Sequence, residues 1–180
     1  MTVSAQRTVD ALLLKKGSPD TLEVKIINKN IFFPKDSFNV LSLHKNVIIV
    51  GQERDIWIKE KDIDYISLID FKGNHREFIS IEAAPELMKI DSVNKKLYEI
   101  ICDGKIKWYR EYYLYRINHA VKASDYLIKE NMKPVSIYPF TNFRMKLLNL
   151  TEDMPELESN IKEIKTYDDM LEIIKFYNNN

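Results

Sequence analysis

Apolar and polar positions alternate through the first half of the chain, and the pattern predicts short strands separated by turn residues. Thr8–Leu14 and Thr21–Ile27 are β-rich runs joined by Lys16-Gly17-Ser18-Pro19-Asp20. Leu22, Val24 and Ile26 alternate with polar residues, the period of a half-buried strand. Ile31–Phe33, Phe38–Leu43, Val47–Val50 and Asp55–Lys59 follow as further strands. Ile63–Phe71 and His75–Ile81 flank Lys72-Gly73-Asn74, where the glycine can supply a positive φ. Beyond a break at Ala83-Ala84-Pro85, Leu97–Cys102 and Lys105–Tyr115 surround Asp103-Gly104, the signature of a two-residue type I′ hairpin turn. Tyr126–Glu130 and Val135–Tyr138 read as another pair.

From Thr141 the period lengthens. Phe143, Leu147 and Leu150 recur at helical spacing, and Pro155 suits the first turn of a second helix. Thr166 followed by Asp169 resembles a capping box, ahead of the apolar stripe Tyr167, Met170, Leu171, Ile174 and Tyr177. Helices this short do not persist alone in water, so they are expected to dock on the strands. The predicted class is α+β, predominantly antiparallel β, built as a meander, open barrel or small sandwich with two or three short C-terminal helices packed on the sheet. One β-rich domain is expected over residues 8–180: a strand meander at 8–82, hairpins at 96–138 and a helical tail at 141–178. Residues 1–7 read as a disordered N-terminus or the remnant of a signal peptide.

Composition narrows the functional classes. The 180 residues carry 27 Lys plus Arg against 27 Asp plus Glu. Nucleic-acid binding draws its affinity mainly from excess basic charge, so no nucleic-acid partner is expected. Only four glycines are present, which argues against glycine-rich phosphate loops. The single cysteine, Cys102, excludes an internal disulfide and a cysteine-based zinc site, and its place before a turn predicts a small buried thiol. The longest apolar run, Asn46-Val47-Ile48-Ile49-Val50, is strand-sized, so no transmembrane span is expected. Val3-Ser4-Ala5 places small or β-branched residues where a signal peptidase reads, which points to export; a cytoplasmic protein is the alternative.

The chemistry-bearing residues are few. In Lys105–Arg116, Trp108, Arg110, Tyr112 and Leu114 share one strand face, and Tyr109, Glu111, Tyr113 and Tyr115 share the other. Trp108 and Tyr112 read as core. Tyr109 and Tyr113 then become the binding candidates, with Arg110 beside them, since interleaved aromatics and arginine can stack on sugars or bases. His75 and Glu77, two apart on a predicted strand, face the same way and make His75 a further ligand candidate. Two such groups do not make a metal site, and His44 and His119 lie far off in sequence. Asp55, Asp62, Asp64 and Asp70 cluster in sequence, as turn and strand-end aspartates do. No catalytic residues, metal or cofactor are assigned.

The tail is more specific. Phe143-Arg144-Met145-Lys146-Leu147, Met154-Pro155-Glu156-Leu157, Ile161-Lys162, Tyr167-Asp168-Asp169 and Ile173-Ile174-Lys175-Phe176-Tyr177-Asn178 resemble an uncharacterised family of exported Bacteroidetes proteins. The opening Leu14–Leu22 segment is similar too, with Pro19 a departure from the pattern. The resemblance implies a signal peptide, a β-rich body and a helical end. The family has no established catalytic residues to carry over. The expected function is a non-catalytic envelope or periplasmic module that binds a protein, glycan or envelope component. Two alternatives stand beside it: a hydrolase assembled from scattered carboxylates and histidines, and self-association through an open sheet edge.

Overall fold

Ten strands form one antiparallel sheet among the residues that the computed structural model describes, 7–29, 37–89, 96–115, 120–137 and 143–180. In chain order they are β1 (Thr8–Lys15), β2 (Thr21–Ile27), β3 (Asn46–Ile49), β4 (Ile56–Lys59) and β5 (Ile63–Ile69), then β6 (His75–Ser80), β7 (Leu97–Cys102), β8 (Ile106–Leu114), β9 (Val121–Lys129) and β10 (Val135–Ile137). Helices α1 (Phe143–Leu150), α2 (Glu158–Glu163) and α3 (Tyr167–Asn179) follow. Hydrogen-bonded neighbours run β10-β9-β8-β7-β6-β5-β1-β2-β3-β4, so the sheet is not closed and its edges are β10 and β4. The class is therefore α+β with antiparallel β, as the periodicity predicts. Among the described residues no helix is long and apolar enough to cross a membrane.

The chain gathers into two compact units, one drawn from residues up to 99 and from 111–122, the other from 100–110 and 123–180. In the first, β1 pairs with β2 on one side and β5 on the other, which makes it central. Its alternation buries Val9, Ala11 and Leu13 against Ile26, Ile66, Leu68 and Phe78. Each fully buried aliphatic of this kind contributes about 1.5–3 kcal/mol relative to exposure. Arg76 crosses from β6 to Glu99 with a bidentate pair of 2.6 and 2.9 Å, and Tyr112 donates to the same carboxylate at 2.5 Å.

The predicted strand at Phe38–Leu43 is not one. Val40–Leu43 forms a 3₁₀ turn, capped by Asn39, whose side chain accepts the Leu41 N–H at 3.1 Å. The reason is a buried polar cluster: Asn28 accepts from the Asn39 N–H (2.8 Å) and from Ser42 Oγ (3.3 Å), and Asn39 donates to the Lys29 carbonyl (2.7 Å). Side chains that bond nearby backbone offer it an alternative to a strand ladder. The predicted strand at Ile31–Phe33 lies outside the described residues, as do Val3-Ser4-Ala5 and His119.

In the second unit the helices dock as expected. Leu147 and Leu150 of α1, Ile161 of α2, and Met170, Ile174 and Tyr177 of α3 share a core with Ile106, Trp108, Leu127 and Ile137 from the strands. The capping box is present: Thr166 Oγ1 accepts the Asp169 N–H at 3.1 Å, and Asp169 accepts the Thr166 N–H at 2.8 Å. The turn at Asp103-Gly104 departs from type I′, which needs positive φ at both residues. Gly104 has φ +144°, whereas Asp103 is not among the described residues with positive φ. Lys72-Gly73-Asn74 does turn as predicted, with Gly73 at φ +83°.

Candidate functional site

β8 does not present the aromatic surface that its sequence predicts. Trp108 is buried as expected, but Tyr109 is only 3% exposed, so its ring is core rather than a stacking platform. Its face of β8 is covered too, because Glu111 beside it is also buried. Tyr113 is half-buried, and Tyr112 is committed to the Arg76–Glu99 pair. Arg110 is held by Asp125 at 2.7 Å.

Asp125 is the residue that the pattern missed. Its buried carboxylate accepts from Trp108 Nε1 (2.8 Å), Arg110 Nε (2.7 Å) and Tyr167 Oη (3.2 Å). Tyr167 stacks on Trp108 with centroids 5.8 Å apart, and Arg110 lies 5.2 Å from the Tyr167 ring centre. Burial, and then the neighbouring carboxylate, push the Tyr167 hydroxyl above its ordinary range. This cluster is fully satisfied, which suits it to holding α3 on β8 and β9 rather than to chemistry. No local signal marks Asp125: the predicted strand starts one residue after it, at Tyr126, yet β9 begins at Val121.

His75 occupies a different setting. It is exposed at the start of β6, and its Nε2 lies 2.8 Å from Ser67 Oγ on β5. The register places Ile69 opposite His75 and Ser67 opposite Glu77, so the Ser67–His75 contact is a diagonal one across a strand pair. Tyr65 Oη donates to Glu77, and burial together with that bond pushes Tyr65 up to about 12. Glu77 thus serves Tyr65. Among the described residues no second hydrogen bond orients the His75 ring, and no group of three metal-ligating side chains forms.

Ser67 and His75 stand at the rim of a concave surface of about 840 Å³ in the first unit. Leu12, Val50 and Ile69 line it and remain 44%, 42% and 61% exposed, an apolar lining bordered by the Asp10–Lys25 pair (2.6 Å). Exposed apolar surface gathered in one concavity is the usual physical mark of a binding site. Sequence alternation placed Leu12 and Ile69 on strands. It could not show that their side chains converge across β1 and β5, because that depends on register between segments about fifty residues apart.

The remaining candidates stay apart from this surface. Asp55 is exposed before β4, and Asp64 accepts from Ser80 Oγ at 3.3 Å. Asp70 closes the β5–β6 turn by accepting from the Lys72 and Asn74 N–H groups, both at 2.9 Å. Those bonds outweigh its burial and hold its carboxyl below the ordinary range. His44 Nδ1 lies 3.3 Å from Glu60, a buried carboxylate that also accepts from the Lys45 and Leu97 N–H groups. Cys102 is buried and its thiol is pushed up by that burial, the opposite of an activated nucleophile. No family model, curated protein or solved structure matches the chain.

Proposed function

We propose that the protein is a non-catalytic interaction module whose binding surface is the apolar concavity of the first unit. The observation that carries this reading is the exposure of Leu12, Val50 and Ile69 along that one surface. An extended, apolar segment of a partner protein fits such a lining best, with the Asp10–Lys25 pair and His75 available to its backbone at the margin. A photo-crosslinking residue placed at Leu12 or Ile69 should capture one discrete partner in cells of the native host. The same residue at the exposed Lys162 of α2 should not. Equal, diffuse labelling from all three positions would sink the reading.

An envelope or periplasmic location goes with this proposal. It rests on Val3-Ser4-Ala5 and on the resemblance of the tail, and sequencing the mature N-terminus from the native host tests it. A hydrolase is the second reading, favoured by one contact, Ser67 with His75. It requires turnover of an activated ester that Ser67→Ala abolishes in a folded protein. With no second hydrogen bond to orient His75 among the described residues, the non-catalytic reading is the stronger.

A further inference from the structure

Edge strand β4 carries Ile56-Trp57-Ile58 between Asp55 and Lys59. Trp57 is 65% exposed, and β4 has a strand neighbour on its β3 side alone among the described residues. Backbone parity decides which groups face the open side. The Glu60 N–H donates to the Lys45 carbonyl at 2.9 Å, so those two residues form a hydrogen-bonded pair. Bonded and non-bonded pairs alternate along an antiparallel ladder. In the observed register the next bonded pairs are Val47 with Ile58 and Ile49 with Ile56. The Val50 N–H donating to the Lys25 carbonyl gives the same parity from the other side, since it turns Val50 and Ile48 toward β2. The N–H and C=O of Trp57 and the N–H of Lys59 therefore point to the open edge, the Lys59 carbonyl capping the 3₁₀ turn Glu60–Asp62, and Asp55, one residue before β4, falls in the same phase.

We propose that β4 pairs antiparallel with β4 of a second copy of this chain, in a register centred on Trp57. That register sets Asp55 of each copy opposite Lys59 of the other, Trp57 opposite Trp57, and Ile56 opposite Ile58. The residues in the outward phase are the ones that become bonded pairs, with Trp57 at the centre using both its N–H and its C=O. Centring the two-fold on Asp55 or on Lys59 would also use outward groups, but it would set like charges face to face. Asp55, Trp57 and Lys59 project to one face of the strand, so two ion pairs flank the indole pair. A lysine on an edge strand ordinarily deters pairing. Here Asp55, two residues before the Trp57 centre, mirrors Lys59, two residues after it, and makes the edge self-complementary. A two-fold contact uses both β4 edges and closes on itself.

An interface this small is weak, with a dissociation constant on the order of 100 µM. Sedimentation equilibrium on the full chain, from about 10 µM to about 1 mM, should show a monomer–dimer equilibrium. Asp55→Lys turns two attractive pairs into two repulsive ones and should weaken the dimer about tenfold. Lys59→Asp should do the same. The double swap, Asp55→Lys with Lys59→Asp, should restore affinity to within about threefold of the native chain. Both side chains are exposed, so folding should be unaffected, and circular dichroism checks it. Emission from Trp57 should move to the blue as concentration rises, because the other tryptophan, Trp108, is already buried. A chain that stays monomeric throughout the range overturns the proposal. So does a dimer indifferent to Asp55→Lys, or a folded double swap that fails to recover.

Discussion

Asn178 of α3 clasps the loop between β7 and β8 at Gly104. Its Nδ2 donates to the carbonyls of Asp103 (3.2 Å) and Ile106 (2.9 Å), while its Oδ1 accepts the Ile106 N–H at 2.8 Å. The glycine is what admits it, since a Cβ at Gly104 would lie 2.5 Å from the Asn178 side chain. The hairpin and the last helix, more than 70 residues apart, are therefore specified together.

Gly104→Ala should destabilise the fold by about 1–3 kcal/mol, from the positive φ and the displaced Asn178 together. Asn178→Ala removes the clasp without the steric conflict and should cost about 1–2 kcal/mol. The two changes should be less than additive in urea unfolding, because each removes the same contact. Strict additivity would show that the cost of Gly104→Ala does not act through Asn178.

Asp125→Ala should cost about 3 kcal/mol, since it leaves the Trp108 and Arg110 donors without their acceptor in a buried setting. Near-ultraviolet circular dichroism should lose the Trp108 signal while far-ultraviolet signal persists. Unchanged stability would mean that water replaces the carboxylate at little cost.

Tyr65 provides a pH reporter. Its folded-state value of about 12 exceeds the ordinary tyrosine range, chiefly through burial and then through Glu77. The stabilisation linked to this shift is complete below about pH 10 and is lost as pH rises through about 12. By absorbance titration at about 295 nm (tyrosinate, near its pKa of about 10 when free), Tyr65 should stand among the late-titrating tyrosines beside Tyr167 and Tyr177, whose hydroxyls burial also raises, and should be the one that disappears in Tyr65→Phe. Glu77→Gln should bring it only part of the way back, as burial remains.

Thr166→Ala should remove about 1 kcal/mol by uncapping α3. Asp169, the other half of the box, is held below the ordinary carboxylate range by the Lys165 and Thr166 N–H groups. Its share of the cap is therefore complete above that range and is lost as pH falls through the lowered folded value. Melting temperatures of Asp169→Ala and native protein should differ at neutral pH and converge in acid, because the carboxylate that the alanine lacks is then protonated in the native chain as well. A constant gap would disconnect Asp169 from the cap.

What the sequence determined by itself was local. Alternation placed β1, β2 and β7, Thr166 and Asp169 announced the start of α3, and Gly73 marked its turn, because each depends on neighbours within a few residues. Tertiary structure decided what lies beyond that range. Tyr109 alternates like a surface residue, yet both faces of β8 are covered there. Phe38–Leu43 is strand-like in composition, yet Asn28 draws Asn39 and Ser42 into a capped turn. Asp125 gains its role only where β8, β9 and α3 meet. The binding concavity likewise needs Leu12 and Ile69 brought side by side by register. Element formation is short-range, whereas burial of a face is set by whatever distant segment packs on it.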